Sequence, residues 1–148
     1  MKIIHGFILF LFLITACSGD TKERVLSSYG NGKPMLIVIE DAQTGVKLEE
    51  KTFYDNEQLH TDILYQENKR NGTCRSFYKD GKPFSLHTYQ LGVLNGPYQL
   101  WYENGQTRIE GFYTDNKKTG IWKSYHEDGT ILKTIDFNSS DSSTFAAP

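Results

Sequence analysis

The stretch Trp101-Tyr102-Glu103-Asn104-Gly105 opens the clearest copy of a unit that the chain repeats between Phe53 and Phe137. The next copy begins at Ile121-Trp122, and equivalent positions recur every 24 residues. The recurring sets are Gly72, Gly96 and Gly120; Gly81, Gly105 and Gly129; Tyr54, Tyr78, Tyr102 and His126; and Tyr65, Tyr89, Tyr113 and Phe137. A period of this length predicts a repeat architecture, in which one supersecondary unit stacks on copies of itself.

Two kinds of glycine-containing turn alternate in each copy. Asn-Gly and Asp-Gly pairs are the strongest short hairpin signals in a single sequence, because glycine adopts the positive φ that tight hairpins require. We therefore expect the six repeated glycines to be structural turn residues: Gly72, Gly81, Gly96, Gly105, Gly120 and Gly129.

The segments between these turns are rich in β-branched and aromatic residues and contain no amphipathic helix, which indicates an all-β fold. The predicted strands are Met35 to Glu40, Lys47 to Tyr54, Leu59 to Gln66, Thr73 to Tyr78, Pro83 to Tyr89, Pro97 to Tyr102, Thr107 to Tyr113, Ile121 to His126 and Ile131 to Phe137. Because the connections are short, neighbours must pair antiparallel. The expected fold is one elongated, curved antiparallel meander of about nine strands.

The alternating turns resemble the MORN-repeat family in its bacterial variant form, found in YwqK-like antitoxins. The motifs that carry the resemblance are Tyr78-Lys79-Asp80-Gly81-Lys82, Tyr102-Glu103-Asn104-Gly105-Gln106 and Lys117-Lys118-Thr119-Gly120-Ile121-Trp122. The resemblance covers residues 29–137 and implies a scaffold of stacked hairpins. It also implies an antitoxin-like role, in which the repeats bind a toxin.

The start of the chain has the pattern of a signal peptide. Lys2 precedes an apolar run, Ile3 to Ile14, that is too short to span a bilayer as a stable helix. The run ends in Ile14-Thr15-Ala16-Cys17, which resembles a bacterial lipobox. This predicts a signal peptide over residues 1–16 and lipidation of Cys17, and the alternative is an ordinary signal peptide with a chance cysteine. Two or more acyl chains give stable anchoring, so we expect an envelope lipoprotein, on the outer membrane if the source has two membranes.

The rest of the chain divides into three predicted segments. Residues 17–28 are short and polar and fit a lipidated cysteine with a tether, residues 29–137 form the repeat domain, and the Ser-rich residues 138–148 fit a disordered tail. The net charge of −2 gives neither the basic stripe that nucleic-acid binding usually needs nor a polybasic patch for an anionic bilayer. We expect no nucleic-acid partner.

The sequence offers little for chemistry. With Cys17 acylated, Cys74 has no disulfide partner, and its repeat position, shared with Tyr98 and Trp122, indicates a core residue. The histidines, His60, His87 and His126, have no neighbours at metal-ligand spacing. The acidic residues fall in turns, and P-loop, dinucleotide and Gly-x-Ser-x-Gly motifs are absent. We expect no enzyme activity, catalytic residue, cofactor, metal or small-molecule substrate.

Aromatic pairs place one ring on each face of the expected sheet, because successive side chains of a strand point to opposite faces. Cross-strand packing alone is a sufficient reason for such rings. The alternative is that a half-exposed row binds a partner. The candidates for partner binding are Tyr54, Tyr78, Trp101, Tyr102 and Trp122.

Three functional classes follow. The first is a non-catalytic, membrane-anchored scaffold that binds a protein partner, with a toxin as the partner that the antitoxin resemblance implies. Because of the export signal, inhibitor and toxin would meet outside the cytoplasm. The second is a MORN module that recognises membrane lipid directly through Trp101, Trp122 and turn lysines. The third is a structural lipoprotein of the cell envelope.

Overall fold

A computed structural model describes residues 19–138 and 144–145. These residues form strands and turns and no helix. The strands are β1 (Thr21–Ser28), β2 (Pro34–Asp41), β3 (Lys47–Phe53), β4 (Leu59–Gln66), β5 (Lys69–Phe77), β6 (Pro83–Gln90), β7 (Val93–Trp101), β8 (Thr107–Thr114), β9 (Lys117–Tyr125), β10 (Ile131–Asp136) and β11 (Thr144–Phe145). The predicted signal peptide and the predicted lipidation site, Cys17, lie outside the described residues.

All of these strands belong to one open sheet, in which the order of the strands follows the chain. Every neighbouring pair is antiparallel. The predicted all-β antiparallel meander is confirmed. The nine predicted strands correspond to β2 through β10, and β1 and β11 were not predicted.

The tether predicted over residues 17–28 is wrong from Thr21 onward, and the folded sheet begins there instead of at residue 29. Thr21–Ser28 pairs with β2, and Arg24 forms an ion pair of 2.6 Å with Glu40. Strand β2 carries Ile37 and Val38, which are only 8% and 3% exposed. Without β1 the outer edge of this buried strand would keep its N–H and C=O groups unpaired, which explains why a polar segment becomes a strand.

The disordered tail predicted over residues 138–148 is wrong in two places. Asn138 accepts a hydrogen bond from the backbone N–H of Gly120 at 3.0 Å through its side-chain oxygen. Thr144–Phe145 pairs with Thr134 and Ile135 of β10. The other tail residues, 139–143 and 146–148, lie outside the described part of the chain.

One set of turns joins β5 to β6, β7 to β8 and β9 to β10. In each, the backbone N–H of a glycine donates to the carbonyl of the aromatic residue three positions earlier, as that of Gly81 does to the carbonyl of Tyr78 at 2.9 Å. The backbone N–H of Tyr78 in turn bonds to the carbonyl of Lys82 at 2.8 Å. Gly81, Gly105 and Gly129 have φ values of 87°, 87° and 84°, so these three are turn glycines in the left-handed region.

The other three repeated glycines were predicted to be turn residues, and this is wrong. Gly72, Gly96 and Gly120 lie inside β5, β7 and β9, where φ is positive and the pairing register shifts. They are therefore bulge glycines, which bend the strand and increase its twist. The turns themselves are the pairs Glu67-Asn68, Leu91-Gly92 and Asp115-Asn116, all with positive φ, as in two-residue type I′ hairpins.

The pairing register divides the side chains between two faces, since directly paired residues share a face. We call one the ring face; it carries Ile63, Cys74, His87, Tyr98 and Trp122. We call the other the groove face; its central row runs Lys51, Asp62, Arg75, Leu86, Gln99, Glu110 and Lys123. Most of the buried residues, Val38, Cys74, Ser85 and Trp122, are on the ring face.

Candidate functional site

Three of the five residues proposed to bind a partner connect one repeat to the next. Tyr54, Tyr78 and Tyr102 donate their hydroxyls to the backbone carbonyls of Phe77, Trp101 and Tyr125, at 2.7 to 2.8 Å. Tyr29 begins this series with a bond of 2.8 Å to the carbonyl of Phe53. We call these four residues the tyrosine staples. Because their hydroxyls are engaged within the sheet, their contacts support a structural role.

Trp122 is buried, with 5% exposure, so it cannot present its ring on an open surface as the sequence analysis expected. Its ring lies over Gly111, where a Cβ atom would come within 2.2 Å of it. The indole N–H donates to the carbonyl of Phe112 at 3.2 Å. Tyr98 and Tyr113 pack against the indole at ring-centroid distances of 5.2 and 5.0 Å. Trp122 is therefore the centre of an aromatic cluster.

Trp101 is the candidate that lines an open groove on the groove face. The groove crosses the groove face, with Phe77 and Trp101 as walls and Leu86 between them. Arg75, Ser76, Pro83 and Ser85 complete its lining. Large apolar walls with a cation at one side suit the insertion of a side chain from another molecule.

A second apolar area lies further along the groove face, on β7, β8 and β9. Phe112 is 44% exposed and Ile121 is 57% exposed. Both line one shallow depression with Pro97. We call Pro97, Phe112 and Ile121 the apolar patch. These residues are not among the candidates predicted from the sequence, because the bulges at Gly96 and Gly120 determine which way they face, and the two glycines were predicted to be turn residues.

A polar belt separates the Trp101 groove from the apolar patch. In it Tyr125 donates its hydroxyl to the carboxylate of Glu110 at 2.6 Å. Burial, together with this hydrogen bond and the charge of Glu110, raises the pKa of Tyr125 to about 12. The hydroxyl therefore stays protonated and the contact persists at all physiological pH values.

Glu49 and Asp62 form a close carboxyl pair on the groove face. Burial, then the hydrogen bond and charge of Glu49, raises the pKa of Asp62. Burial alone would raise the pKa of Glu49, but hydrogen bonds from Lys51 and Asp62 outweigh it and lower that pKa. Asp62 Oδ1 is buried and has no hydrogen-bond partner within the described residues unless it holds a proton. A proton shared between the two carboxyl groups agrees with the raised pKa of Asp62 and the lowered pKa of Glu49.

The ring face has aromatic residues of a different kind from the tyrosine staples. No side-chain hydrogen bond is found for the hydroxyls of Tyr98 and Tyr113 within residues 19–138. Cations lie against other rings of this face: Lys47 Nζ is 3.6 Å from the centroid of Tyr65, and Lys118 Nζ is 4.3 Å from that of Trp122. The guanidinium of Arg70 lies 5.6 Å from the centroid of Tyr89.

Cys74 and His87 are paired across β5 and β6 on the ring face. Cys74 is buried with 8% exposure, in agreement with its expected core position. Burial raises the pKa of its thiol, and burial together with nearby Arg70 lowers the pKa of His87. Both groups are therefore neutral at pH 7, which does not favour a reactive thiolate.

Searches for two further kinds of site gave negative results within the described residues. No group of three or more His, Cys, Asp or Glu side chains is arranged to hold a metal ion across residues 19–138 and 144–145. In the same ranges no helix is long and apolar enough to cross a membrane.

A scan against family models matches three copies of the MORN repeat variant, at residues 70–91, 94–115 and 118–139. The chain contains MORN-variant repeats. Each matched copy starts at the strand that follows a type I′ turn and has the 24-residue period seen in the sequence. The expected MORN resemblance is thus confirmed at the level of the repeats, and the antitoxin assignment goes beyond this match.

Comparison with curated proteins gives no match. Among solved structures, the chain is similar to "Crystal Structure of TarM", with 16% identity, a TM-score of 0.36, and coverage of 85% of this chain and 21% of that one. A TarM mutant of S. aureus in complex with fondaparinux, alpha-GlcNAc-glycerol and UDP matches with 15% identity and the same TM-score and coverage. The chain spans about a fifth of the length of these proteins. These TM-scores are too low to support an argument about this chain.

Proposed function

We propose that this chain is a non-catalytic repeat scaffold that binds a protein partner through the groove face. The observation that carries the proposal is the exposed apolar patch, with Phe112 at 44% and Ile121 at 57% exposure. Exposed apolar side chains that share a depression are typical of interaction sites. The Trp101 groove lies on the same face, and a polar belt with satisfied hydrogen bonds lies between the two. This mixture resembles the composition of protein interfaces.

We propose a location at the bacterial cell envelope, because the N-terminal sequence has the pattern of a lipoprotein signal peptide. Lipid on Cys17 anchors the chain, on the outer membrane if the source has two membranes. The resemblance to YwqK-like antitoxins suggests a toxin as the partner. The chain would then act as an immunity lipoprotein, binding a toxin that arrives from outside the cytoplasm.

Direct lipid recognition is less well supported. Trp122, one of the two tryptophans expected to enter the bilayer, is only 5% exposed and is held by Gly111 and its ring neighbours. Lys33, Lys79 and Lys82, which lie at the turns, are each paired with a carboxylate. These lysines have less charge available for anionic headgroups.

The test is capture of proteins from envelope and secreted fractions on the purified, detergent-solubilised mature chain. We expect one protein to be retained by the parent and lost by Trp101→Ala and by Ile121→Ser. The matched control is Leu132→Ser, which removes an equally exposed apolar side chain, 51% accessible, away from the groove and the patch. Circular dichroism must show that all variants are folded.

Two results would contradict the proposal. One is that the parent retains no protein; the other is that Leu132→Ser weakens retention as much as the groove-face variants. The anchor is tested separately by mass spectrometry of the purified chain, in which we expect acyl chains on Cys17 and none in Cys17→Ser. The immunity role predicts that cells expressing the chain survive the captured partner and that cells expressing Trp101→Ala do not.

A further inference from the structure

Two of the exposed cations on the ring face, Arg70 and Lys118, have no carboxylate partner within ion-pair distance in residues 19–138. The ion pairs of the described residues engage Arg24, Lys33, Lys47, Lys51, Lys79, Lys82 and Lys123. Arg70 and Lys118 are outside this set, and each lies against an aromatic ring instead. A cation held by a ring is positioned but not neutralised, so it remains available to an anion.

Arg70 and Lys118 occupy the same position in two repeats, and Leu94 occupies it in the repeat between them. The three residues begin the matched copies at 70–91, 94–115 and 118–139. Each is paired with the aromatic residue of the preceding strand: Arg70 with Tyr65, Leu94 with Tyr89, and Lys118 with Tyr113. The ring face therefore presents a row of cation, apolar residue and cation along the axis of the repeats.

The spacing of this row follows from the sheet. Arg70 lies on β5, Leu94 on β7 and Lys118 on β9, so consecutive members are two strands apart. Neighbouring strands are separated by about 4.8 Å, which gives a step of about 9.6 Å. A polyproline II segment advances about 3.1 Å per residue with three residues per turn, so its side chains return to the same side every ~9.3 Å. The repeat of the sheet and the pitch of a polyproline II helix match.

The floor of the ring face fits such a segment as well. Side chains with apolar surface line a depression beside each cation, Ile63, Cys74 and His87 beside Arg70, and Ile109 beside Lys118. The hydroxyls of Tyr98 and Tyr113 are available as donors to the carbonyls of a polyproline II backbone, which has no internal hydrogen bonds. Aromatic-lined surfaces are the usual receptors of proline-rich segments. An anionic glycan or lipid headgroup would satisfy the cations but would leave the apolar Leu94 between them without a contact.

We propose that the ring face binds an acidic, proline-rich protein segment in polyproline II conformation, with acidic residues six positions apart and an apolar residue midway. Arg70 and Lys118 hold the two carboxylates, and Leu94 contacts the apolar side chain. This site lies on the opposite face from the apolar patch, so it is independent of the partner proposed above.

The test measures fluorescence anisotropy of a labelled proline-rich peptide with glutamates six positions apart and a leucine midway, titrated with the mature chain in detergent. We expect saturable binding that Arg70→Gln/Lys118→Gln weakens by about tenfold or more, since each lost cation removes one charge-assisted contact. The matched control is Lys69→Gln/Lys117→Gln. It removes the same charge from the adjacent residues of the same strands, whose side chains point to the other face, and should change affinity by less than about twofold.

A gain-of-binding variant makes the assignment specific. Leu94→Lys should weaken binding of the leucine peptide and strengthen binding of a peptide in which glutamate replaces the leucine. A peptide with its glutamates five positions apart should bind weakly, because that spacing puts them on different sides of the helix. Circular dichroism of each variant excludes unfolding as the cause.

The outcomes that overturn the proposal are distinct. Equal weakening by the two double variants would mean diffuse charge attraction without a site. Equal affinity for the two glutamate spacings would contradict the polyproline II register. Absence of peptide binding, or binding only of phosphatidylglycerol vesicles or an acidic polysaccharide added in parallel titrations, would remove a protein segment as the occupant. None of these results depends on whether the groove face captures a partner.

Discussion

Glu57 has the backbone conformation that glycine adopts at the equivalent position of the later repeats. Its φ is 67°, beside 87° at both Gly81 and Gly105, and its N–H makes the same bond to Tyr54. For a residue with a Cβ atom the left-handed region costs on the order of 1 kcal/mol. We expect Glu57→Gly to raise the free energy of unfolding by about that amount, and Gly105→Glu to lower it by a similar amount.

Urea unfolding followed by circular dichroism checks this pair. Gly105 has no atom within 4 Å of an added Cβ, so only the backbone conformation opposes the new side chain. The control is Glu57→Gln, which removes the surface ion pair with Lys33 and keeps the strained conformation. Such exposed pairs contribute little, so Glu57→Gln should be near neutral. A Glu57→Gly variant no more stable than Glu57→Gln would contradict the explanation.

Asp62 links stability to pH in a direction opposite to that of an ordinary carboxylate. Its folded-state pKa is raised, so its contribution to stability is fully present below the unfolded pKa and is lost as pH rises through the folded pKa. Asp62→Asn keeps the shape, removes the charge and supplies an N–H donor to Glu49. We expect the variant to be more stable by about 1 kcal/mol at pH 7, because the amide N–H makes the hydrogen bond to Glu49 without the proton that Asp62 must take up to make it.

The gain from Asp62→Asn should shrink as pH falls below the ordinary range of an aspartate, where Asp62 is protonated in both states. Thermal unfolding at a series of pH values between 3.5 and 8 measures it. The contribution of Glu49 has the opposite sign, since its lowered pKa stabilises the fold above the unfolded pKa and is lost at low pH. A gain from Asp62→Asn that is equal at all pH values would contradict a shared proton.

At the scale of the strand and its turns, removal of a hydroxyl should have different effects in the tyrosine staples and in the tyrosines of the ring face. Tyr78→Phe removes a hydroxyl that donates 2.7 Å to the carbonyl of Trp101 in the next repeat. We expect it to cost about 1 kcal/mol, the usual net worth of an intramolecular hydrogen bond. Tyr113→Phe removes a hydroxyl without such a bond and should leave the urea midpoint almost unchanged. Equal effects of both substitutions would mean that the staples contribute only packing.

The sequence predicted the strands better than it predicted the faces. Alternating apolar residues and Asp-Gly or Asn-Gly turns locate β2 through β10, because hairpin signals are local. The bulges at Gly72, Gly96 and Gly120 have no local signal in the sequence. A glycine that adopts positive φ can lie in a turn or in a bulge, and only the cross-strand pairing distinguishes the two. Because the three glycines were read as turns, the apolar patch of Pro97, Phe112 and Ile121 was not recognised in the sequence.

The same limit applies to β1 and the tyrosines. Thr21–Ser28 forms a strand because it pairs with the edge of β2. Its own residues contain no repeat motif that would predict this. The recurrence of Tyr54, Tyr78 and Tyr102 was visible in the sequence, but a hydroxyl that reaches one repeat ahead cannot be distinguished from one that faces a partner until the carbonyl positions are known. The sequence does contain a signal for the row of cations on the ring face, since Arg70 and Lys118 share a repeat position.

At the scale of the whole molecule, each strand packs mainly on its two sequence neighbours. Stability of such an array is approximately a sum of unit and interface terms, so a whole repeat can be removed without changing the remaining contacts. Deleting residues 54–77 joins Phe53 to Tyr78 and keeps the strands antiparallel, the faces unchanged and the cluster around Trp122 intact. We expect this variant to fold with a lower urea midpoint and an unchanged shape of the circular dichroism spectrum.

Deleting only residues 54–65 makes the opposite prediction. It removes one turn and one strand, so β5 would have to pair directly with β3 while running in the reverse direction. If β5 through β10 keep their order, they must rotate by half a turn relative to β1 through β3. Their ring face then lies on the same side of the sheet as the groove face of β1 through β3. Val38 and Trp122 would lie on opposite sides, and we expect no cooperative unfolding transition. A half-repeat deletion that unfolds as cooperatively as the full-repeat deletion would show that the two faces are interchangeable, and that the assignment of separate binding roles to them is wrong.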